Sequence, residues 1–292
     1  MMNLLKCKKQ KYNDLTFNEL TKKLNPVNDT HTKWVIKELI LYNSAIIKNN
    51  SDIFFESNTK IDFDYKKFTK QLRKVLVKNF PVQYITKKFS FFGVDYYINK
   101  KVFVPRMETE YMLDWAVTNK FLENKKYILD LCSGSGVLAN TIAYIKKKKN
   151  VEVIGVEKYF FPYKVALKNA KKHNLKTKFI KSDIFKLNKI HFEKCDFIIC
   201  NPPYISYQDF NVDESTKKEP KTALYAKDDG YYFYFAFINK IFPILKKETT
   251  IIFEIGFNQK EKLESFLIEK KIENFKFLKD LDNNDRVLYI KK

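Results

Sequence analysis

Residues 127–143 read YILDLCSGSGVLANTIA: an apolar run, a glycine-containing loop, then a segment with helical spacing. Asp130 falls near the end of the run, and Cys132-Ser133-Gly134-Ser135-Gly136 forms the loop. Glycine lets the backbone turn tightly and lets a ligand approach the main chain at a helix N-terminus. A short Gly-x-Gly alone fits an ordinary strand-to-helix turn equally well. Repetition decides the fold. Compact apolar runs recur at 127–131, 151–156, 178–180, 196–200, 250–255 and 287–291, with helix-length segments between most of them. This predicts an α/β fold with a mostly parallel buried sheet and helices on both faces.

Upstream the pattern changes. From Leu15 to about Phe80 the apolar residues recur at helical spacing, as in TKWVIKELILYNSAII and YKKFTKQLRKVLVKNF, with Pro26 between two such segments. A small helical domain is expected over 1–80, its last helix ended by Pro81. Residues 89–104 contain FSFF, Gly93, VDYYI and VFV, which suits a β-hairpin or two short strands. The organisation is therefore a helical domain at 1–80, a β-hairpin connector at 81–105 and a ligand-binding domain at 106–292.

The 292 residues are 45% hydrophobic, which excludes wholesale disorder. Only 6 are glycine, where average usage of about 7% would supply roughly 20. Four cysteines (Cys7, Cys132, Cys195, Cys200) form no CxxC pair, and with three histidines they argue against a zinc site or a disulfide scaffold. The N-terminus lacks a signal-peptide core, and the longest apolar stretch, YYFYFAFI at 231–238, falls far short of the roughly 20 residues of a membrane span. A soluble, cytoplasmic protein with reduced thiols and no resident metal is expected. The net charge is +21, spread along the chain: residues 1–80 carry 16 basic and 8 acidic side chains, and Lys146–Lys149 is the one tight cluster. That charge permits a polyanionic partner without requiring one, since a composition rich in Lys, Asn and Ile produces it equally.

Two further strand ends sharpen the first. VEVIGV is followed by Glu157, about 20 residues beyond the glycine loop, where a carboxylate in a nucleoside-binding fold meets ribose hydroxyls. The next run ends in Ser182-Asp183-Ile184-Phe185, able to hold an adenine between an apolar side chain and a carboxylate; Asp183 could equally be a helix N-cap. A dinucleotide fingerprint wants glycine where Cys132 and Val137 stand, which favours a smaller adenosine ligand such as S-adenosylmethionine.

The segment DFIICNPPYI (196–205) is the most informative. Asn201-Pro202-Pro203-Tyr204 follows a strand at the carboxyl edge of the sheet, where open α/β folds bind ligands. The prolines fix φ and remove two N–H donors, leaving carbonyl groups beside the Asn201 amide oxygen as acceptors. Tyr204 is expected to add a flat wall. Such a site suits a planar group presenting an NH2, held while its nitrogen takes a methyl group. The plainer alternative is a rigid Pro-Pro loop capped by Asn201.

Taken together, the chain resembles the peptide chain release factor glutamine methyltransferases, the HemK type of class I S-adenosylmethionine-dependent enzymes. The resemblance runs through PVQYI (81–85), FFGVDYYINKKVFVPRMETE (91–110), DLCSGSG (130–136), Glu157, SDIF (182–185), NPPYI (201–205), EPKTAL (219–224), DDG (228–230), FEIG (253–256) and DRVLYI (285–290), roughly residues 81–292. It implies S-adenosyl-L-methionine as cofactor and, as substrate, the glutamine of the Gly-Gly-Gln motif of class I release factors. It also implies a Rossmann-like class I methyltransferase domain, a β-hairpin connector and a helical N-terminal domain that helps grip the factor. Carried over by position, Cys132, Ser133, Gly134, Ser135 and Gly136 wrap the methionine part, and Asp130 is counted among the cofactor-binding residues. Glu157 binds the ribose, Asp183 and Ile184 flank the adenine, and Asn201 through Tyr204 hold the glutamine amide, Asn201 also bordering the cofactor. Arg106, Glu110 and Glu254 stay outside that set. Three positions depart from the family pattern: Cys132 and Lys87 stand where glycine is common, and Met107 replaces a proline. A monomer acting on a protein substrate is expected, with no membrane association and with nucleic-acid binding permitted but not required. The competing readings are an adenine N6-methyltransferase acting on DNA or RNA, and a non-catalytic basic scaffold.

Overall fold

A computed structural model describes residues 15–292 except 26, 46, 48, 50, 53–59, 61–62 and 148–149. Cys7, Pro26 and the second half of the Lys146–Lys149 run therefore lie outside the described residues. The chain divides into two units: the residues up to Lys87 together with Asp213–Lys218, and Lys88–Val212 together with Glu219–Lys292.

In the first unit, helices α1 (Phe17–Leu24), α2 (Thr30–Asn43) and α3 (Tyr65–Leu76) precede a short α4 (Val82–Thr86). Their starts are written in the sequence. Thr16 and Glu19 form a reciprocal capping box on α1, and Asp29 and Asp64 cap α2 and α3. Leu20, Val35, Ile36, Leu39, Ile40, Phe68 and Leu72 form its core. Pro81 does not end a helix as expected. Helix α3 has already stopped at Leu76, and Pro81 is the N-cap of α4, a place where a missing N–H costs nothing.

The second unit opens with a hairpin, β1 (Lys88–Phe91) and β2 (Val94–Tyr97), turned by Phe92 and Gly93 at φ 53° and 72°, as a two-residue primed turn requires. The hairpin and α4 thus fall in different units. Helix α5 (Met107–Thr118) follows, then β3 (Tyr127–Leu131), α6 (Val137–Ile145), β4 (Glu152–Glu157), α7 (Phe160–Lys172), β5 (Lys178–Lys181), α8 (Ile190–Glu193) and β6 (Phe197–Cys200). Short strands β7 (Ile205–Ser206) and β8 (Tyr225–Ala226) pair in parallel. Helix α9 (Tyr232–Lys240), β9 (Thr250–Glu254), α10 (Lys260–Glu269), β10 (Phe275–Lys279) and β11 (Asp285–Lys291) complete the unit.

Seven strands form one sheet in the order β10-β11-β9-β6-β3-β4-β5, parallel from β9 to β5 and antiparallel in the last hairpin. Alternate residues serve opposite faces. Leu129, Ile154, Ile198, Ile251 and Leu288 pack with Phe233, Phe237 and Leu263. Their neighbours Ile128, Val153, Phe197, Ile199, Ile252 and Val287 pack with Met112, Leu113, Leu138 and Ile142. Both faces are covered, as the α/β reading requires. The register aligns Leu131 with Val156 and Cys200, Glu157 with Lys181, and Cys200 with Phe253. The segments beginning at Asp130, Glu157, Ser182, Asn201 and Glu254 therefore share one edge. Among the described residues no helix is long and apolar enough to cross a membrane.

Candidate functional site

The loop after β3 turns through three left-handed residues, Cys132 (φ 57°), Gly134 (56°) and Gly136 (76°). Cys132 adopts there the conformation that glycine takes at least cost. Asp130 anchors the loop from below: its Oδ2 accepts from the Ser133 hydroxyl at 2.5 Å and the Ala139 N–H at 3.0 Å. Its Oδ1 is buried without a hydrogen-bond partner. Burial raises the Asp130 pKa to about 7 against the pull of those two bonds. Gly155 on β4 lies beneath the same loop, where a Cβ would come within 2.7 Å of the Ser133 hydroxyl and closer still to the Phe179 ring.

Glu157 ends β4 with both carboxylate oxygens engaged, Oε2 by the Gly134 N–H at 2.9 Å and Oε1 by the Tyr159 N–H at 2.7 Å. Burial pushes its pKa up while those N–H groups oppose the shift. A carboxylate offers about four lone-pair positions, so capacity for two hydroxyl donors remains. Asp183 does cap the short helical turn 184–186, accepting from the Phe185 N–H at 3.0 Å, and it also pairs with Lys158 at 3.0 Å. Against the cost of burial, Lys158 and that N–H hold its carboxyl below the usual range.

The Asn-Pro-Pro-Tyr segment is fixed by residues distant in sequence. Asn201 Nδ2 donates to Thr109 Oγ1 at 2.9 Å, Thr109 donates to Glu254 Oε2 at 2.5 Å, and the Tyr204 hydroxyl donates to Glu254 Oε1 at 3.1 Å. Glu254 is fully buried at the end of β9, and burial pushes its pKa up to about 7. The Tyr204 carbonyl accepts from Gln259 Nε2 at 3.2 Å, and Gln259 in turn accepts from the Gly256 N–H at 2.9 Å. Nearby, buried Glu219 accepts from the Val104 N–H at 2.8 Å and pairs with Arg106, linking PRMETE to EPKTAL. Glu110 accepts from the Phe92 N–H in the hairpin turn at 2.9 Å.

A cavity of about 440 Å³ opens along this edge. Asp130, Cys132, Ser133, Gly134, Ser135, Glu157, Asp183, Ile184, Asn201 and Pro203 all line it. Gly136, Pro202 and Tyr204 do not. Gly136 faces Ala166 and Phe179, and Pro202 is buried. The Tyr204 ring packs into the core beneath the sheet edge with its hydroxyl on Glu254, so the aromatic wall comes instead from Tyr207, Tyr225, Tyr232 and Phe233. Thr109 and Pro105 line the cavity as well. The lining fits an adenosine ligand bearing an ammonium group: the unpartnered Asp130 Oδ1 suits a cation, Glu157 a diol, and Ile184 with Phe185 a flat apolar ring. Among the described residues no cluster of His, Cys, Asp and Glu could hold a metal.

The Methyltransferase small domain family matches residues 111–224. A release factor glutamine methyltransferase of Clostridium botulinum is 33% identical over 226 residues, covering 76% of this chain and 79% of the relative. One of Mycoplasma mycoides is 32% identical over 271 residues, 85% of this chain and 95% of the relative. The solved catalytic domain of human Mettl16 in complex with an RNA hairpin superposes with a TM-score of 0.56 at 11% identity, covering 91% of this chain and 92% of that one. That likeness concerns the fold.

Proposed function

The chain belongs to the release factor glutamine methyltransferase family, and on that premise we propose that it methylates N5 of the glutamine in the Gly-Gly-Gln motif of class I peptide chain release factors. The observation that carries the reading is the polarity of Asn201. Its NH2 is spent on Thr109, so its oxygen is the atom left for a substrate that presents N–H groups to the cavity. A main-chain carbonyl of the Pro-Pro pair, which has no N–H of its own to offer, supplies a second acceptor.

S-adenosylmethionine, the cofactor of this family, supplies a methyl group on a cationic sulfur. Asp130 would take its ammonium group, Glu157 its ribose hydroxyls, and Asp183 with Ile184 would flank its adenine. An amide nitrogen is a poor nucleophile because its lone pair is delocalised into the carbonyl. Two acceptors holding its two hydrogens orient it and favour the geometry in which that pair is exposed. Once methylated the nitrogen is cationic and strongly acidic, so no side chain of high basicity is needed to take its proton. The helical unit, with α1 to α4, is assigned to gripping the release factor, and the place of action is the cytoplasm, where that substrate is found. These residues leave nucleic acid without a required role, and the relatives favour a protein glutamine over a nucleobase.

The test is transfer of a labelled methyl group to purified release factor, with a factor carrying Ala at the Gly-Gly-Gln glutamine beside it. Label on the first alone is expected. Equal label on both removes the assignment of the acceptor.

A further inference from the structure

Two buried side chains sit behind Asn201, and the direction of their hydrogen bonds is determined by counting protons. In its ionised form, which prevails above about pH 7, the Glu254 carboxylate can only accept. Glu254 receives one O–H from Thr109 and another from Tyr204, one on each oxygen. Thr109 has a single hydroxyl hydrogen, and it is committed to Glu254. Its oxygen is therefore left as an acceptor, and the atom of Asn201 facing it at 2.9 Å must be the NH2. The Asn201 oxygen is then directed away from Thr109, and Asn201 itself lines the cavity. Were the Thr109 hydrogen turned toward Asn201 instead, the amide would flip and meet a substrate NH2 donor to donor.

We infer that Glu254 and Thr109 are positioning residues that set the hydrogen-bond polarity of Asn201, and with it the preference of the site for a carboxamide over a carboxylate. The inference rests on the reading that Asn201 receives the substrate amide. It adds that selectivity against glutamate is established at a carboxylate two hydrogen bonds behind the residue that touches substrate. Glu254 is otherwise hard to account for. A fully buried acid at the end of an apolar strand is costly unless its acceptors are used, and both are used on the two ends of the Asn-Pro-Pro-Tyr segment. The same carboxylate thus holds Asn201 at one end and Tyr204 at the other, while Gln259 holds the Tyr204 carbonyl.

The experiment compares wild type with T109V, T109S and E254Q. Valine keeps the shape of threonine and removes the hydroxyl, and serine restores it. For T109V, kcat on release factor is expected to fall about 100-fold, the scale of a misoriented reacting group, while cofactor affinity stays within about 3-fold. T109S is expected to recover most of the loss. Binding of a release factor with Glu in place of the Gly-Gly-Gln glutamine is expected to tighten in E254Q relative to wild type. An Asn201 NH2 signal in nitrogen-edited NMR, assigned by its disappearance in N201D, is expected to be protected in wild type and T109S and displaced in T109V. Wild-type enzyme that fails to label release factor would count against the substrate reading alone, since the NMR signal still reports the polarity. Wild type that labels release factor while T109V labels it equally well would overturn the inference. So would a rate loss in T109V that serine does not rescue, or an unchanged Asn201 signal.

Discussion

Gly230 lies directly against the carbonyl of Tyr204: a Cβ at position 230 would stand 2.1 Å from that oxygen, and the backbone there has φ 92°. The Asp-Asp-Gly segment is thereby a wall behind the Asn-Pro-Pro-Tyr loop. No rotamer change can relieve the clash, because a Cβ is fixed by the backbone that carries it and its partner is a backbone carbonyl.

Gly230→Ala is accordingly expected to displace the loop. Turnover should fall by about 100-fold or more, with a loss of stability of about 1–3 kcal/mol from the added Cβ and the unfavourable φ. Steady-state kinetics with cofactor binding by calorimetry checks this. The cofactor Kd should change far less than kcat, because the glycine loop is held separately through Asp130.

Lys87 is exposed and ends α4 in the left-handed conformation, φ 56°. Glycine takes that conformation without steric cost. Lys87→Gly should raise stability by about 0.5–1 kcal/mol, read as a higher denaturant midpoint with unchanged slope.

Asp130 gives a pH signature. Its pKa is raised to about 7, mainly by burial. A carboxyl whose folded pKa lies above its unfolded one contributes stability that is fully present at low pH. That contribution is lost as the pH rises from about 4 through about 7. The melting-temperature difference between wild type and D130N should therefore shift against wild type across that window. Cofactor binding has the opposite dependence, because an ammonium group favours the ionised form. The cofactor Kd should weaken as pH falls below about 7 in wild type and stay nearly flat in D130N.

Glu254 titrates in the same range but affects a different step. Burial raises its pKa to about 7; the hydrogen bonds from Thr109 and Tyr204 and the charge of Arg286 oppose that rise, and Glu108 adds to it. Below about 7 it gains a proton, one oxygen becomes a donor, and the bond to Thr109 or to Tyr204 must reverse. With cofactor saturating, kcat is expected to fall as pH drops through about 7 in wild type. That inflection should be absent in E254Q.

Much of this arrangement was legible in the sequence because strand and loop chemistry are local. The glycine loop, Glu157, Asp183 and the Asn-Pro-Pro-Tyr segment each follow an apolar run directly, and a parallel sheet brings such positions to one edge. Strand β10 was not legible: FKFLK interleaves two lysines with half-buried apolar residues at the edge of the sheet, so no continuous apolar run marks it. The direction of Tyr204 was not legible either, because a ring that walls a cavity and a ring that caps a buried carboxylate are the same letter. Thr109 and Glu254 lie 145 positions apart, and only folding reveals their contact. A signal was present even so: an acid set within the apolar run TIIFEI implies a buried partner.

The most direct test of the proposed activity is mass spectrometry of release factor after incubation with the enzyme and S-adenosylmethionine, reading the peptide that contains Gly-Gly-Gln. One added methyl group on the glutamine side chain is expected with wild type, and none when Asn201→Ala replaces it. A methyl group on any other residue, or undiminished glutamine methylation by the Asn201→Ala enzyme, would contradict that expectation.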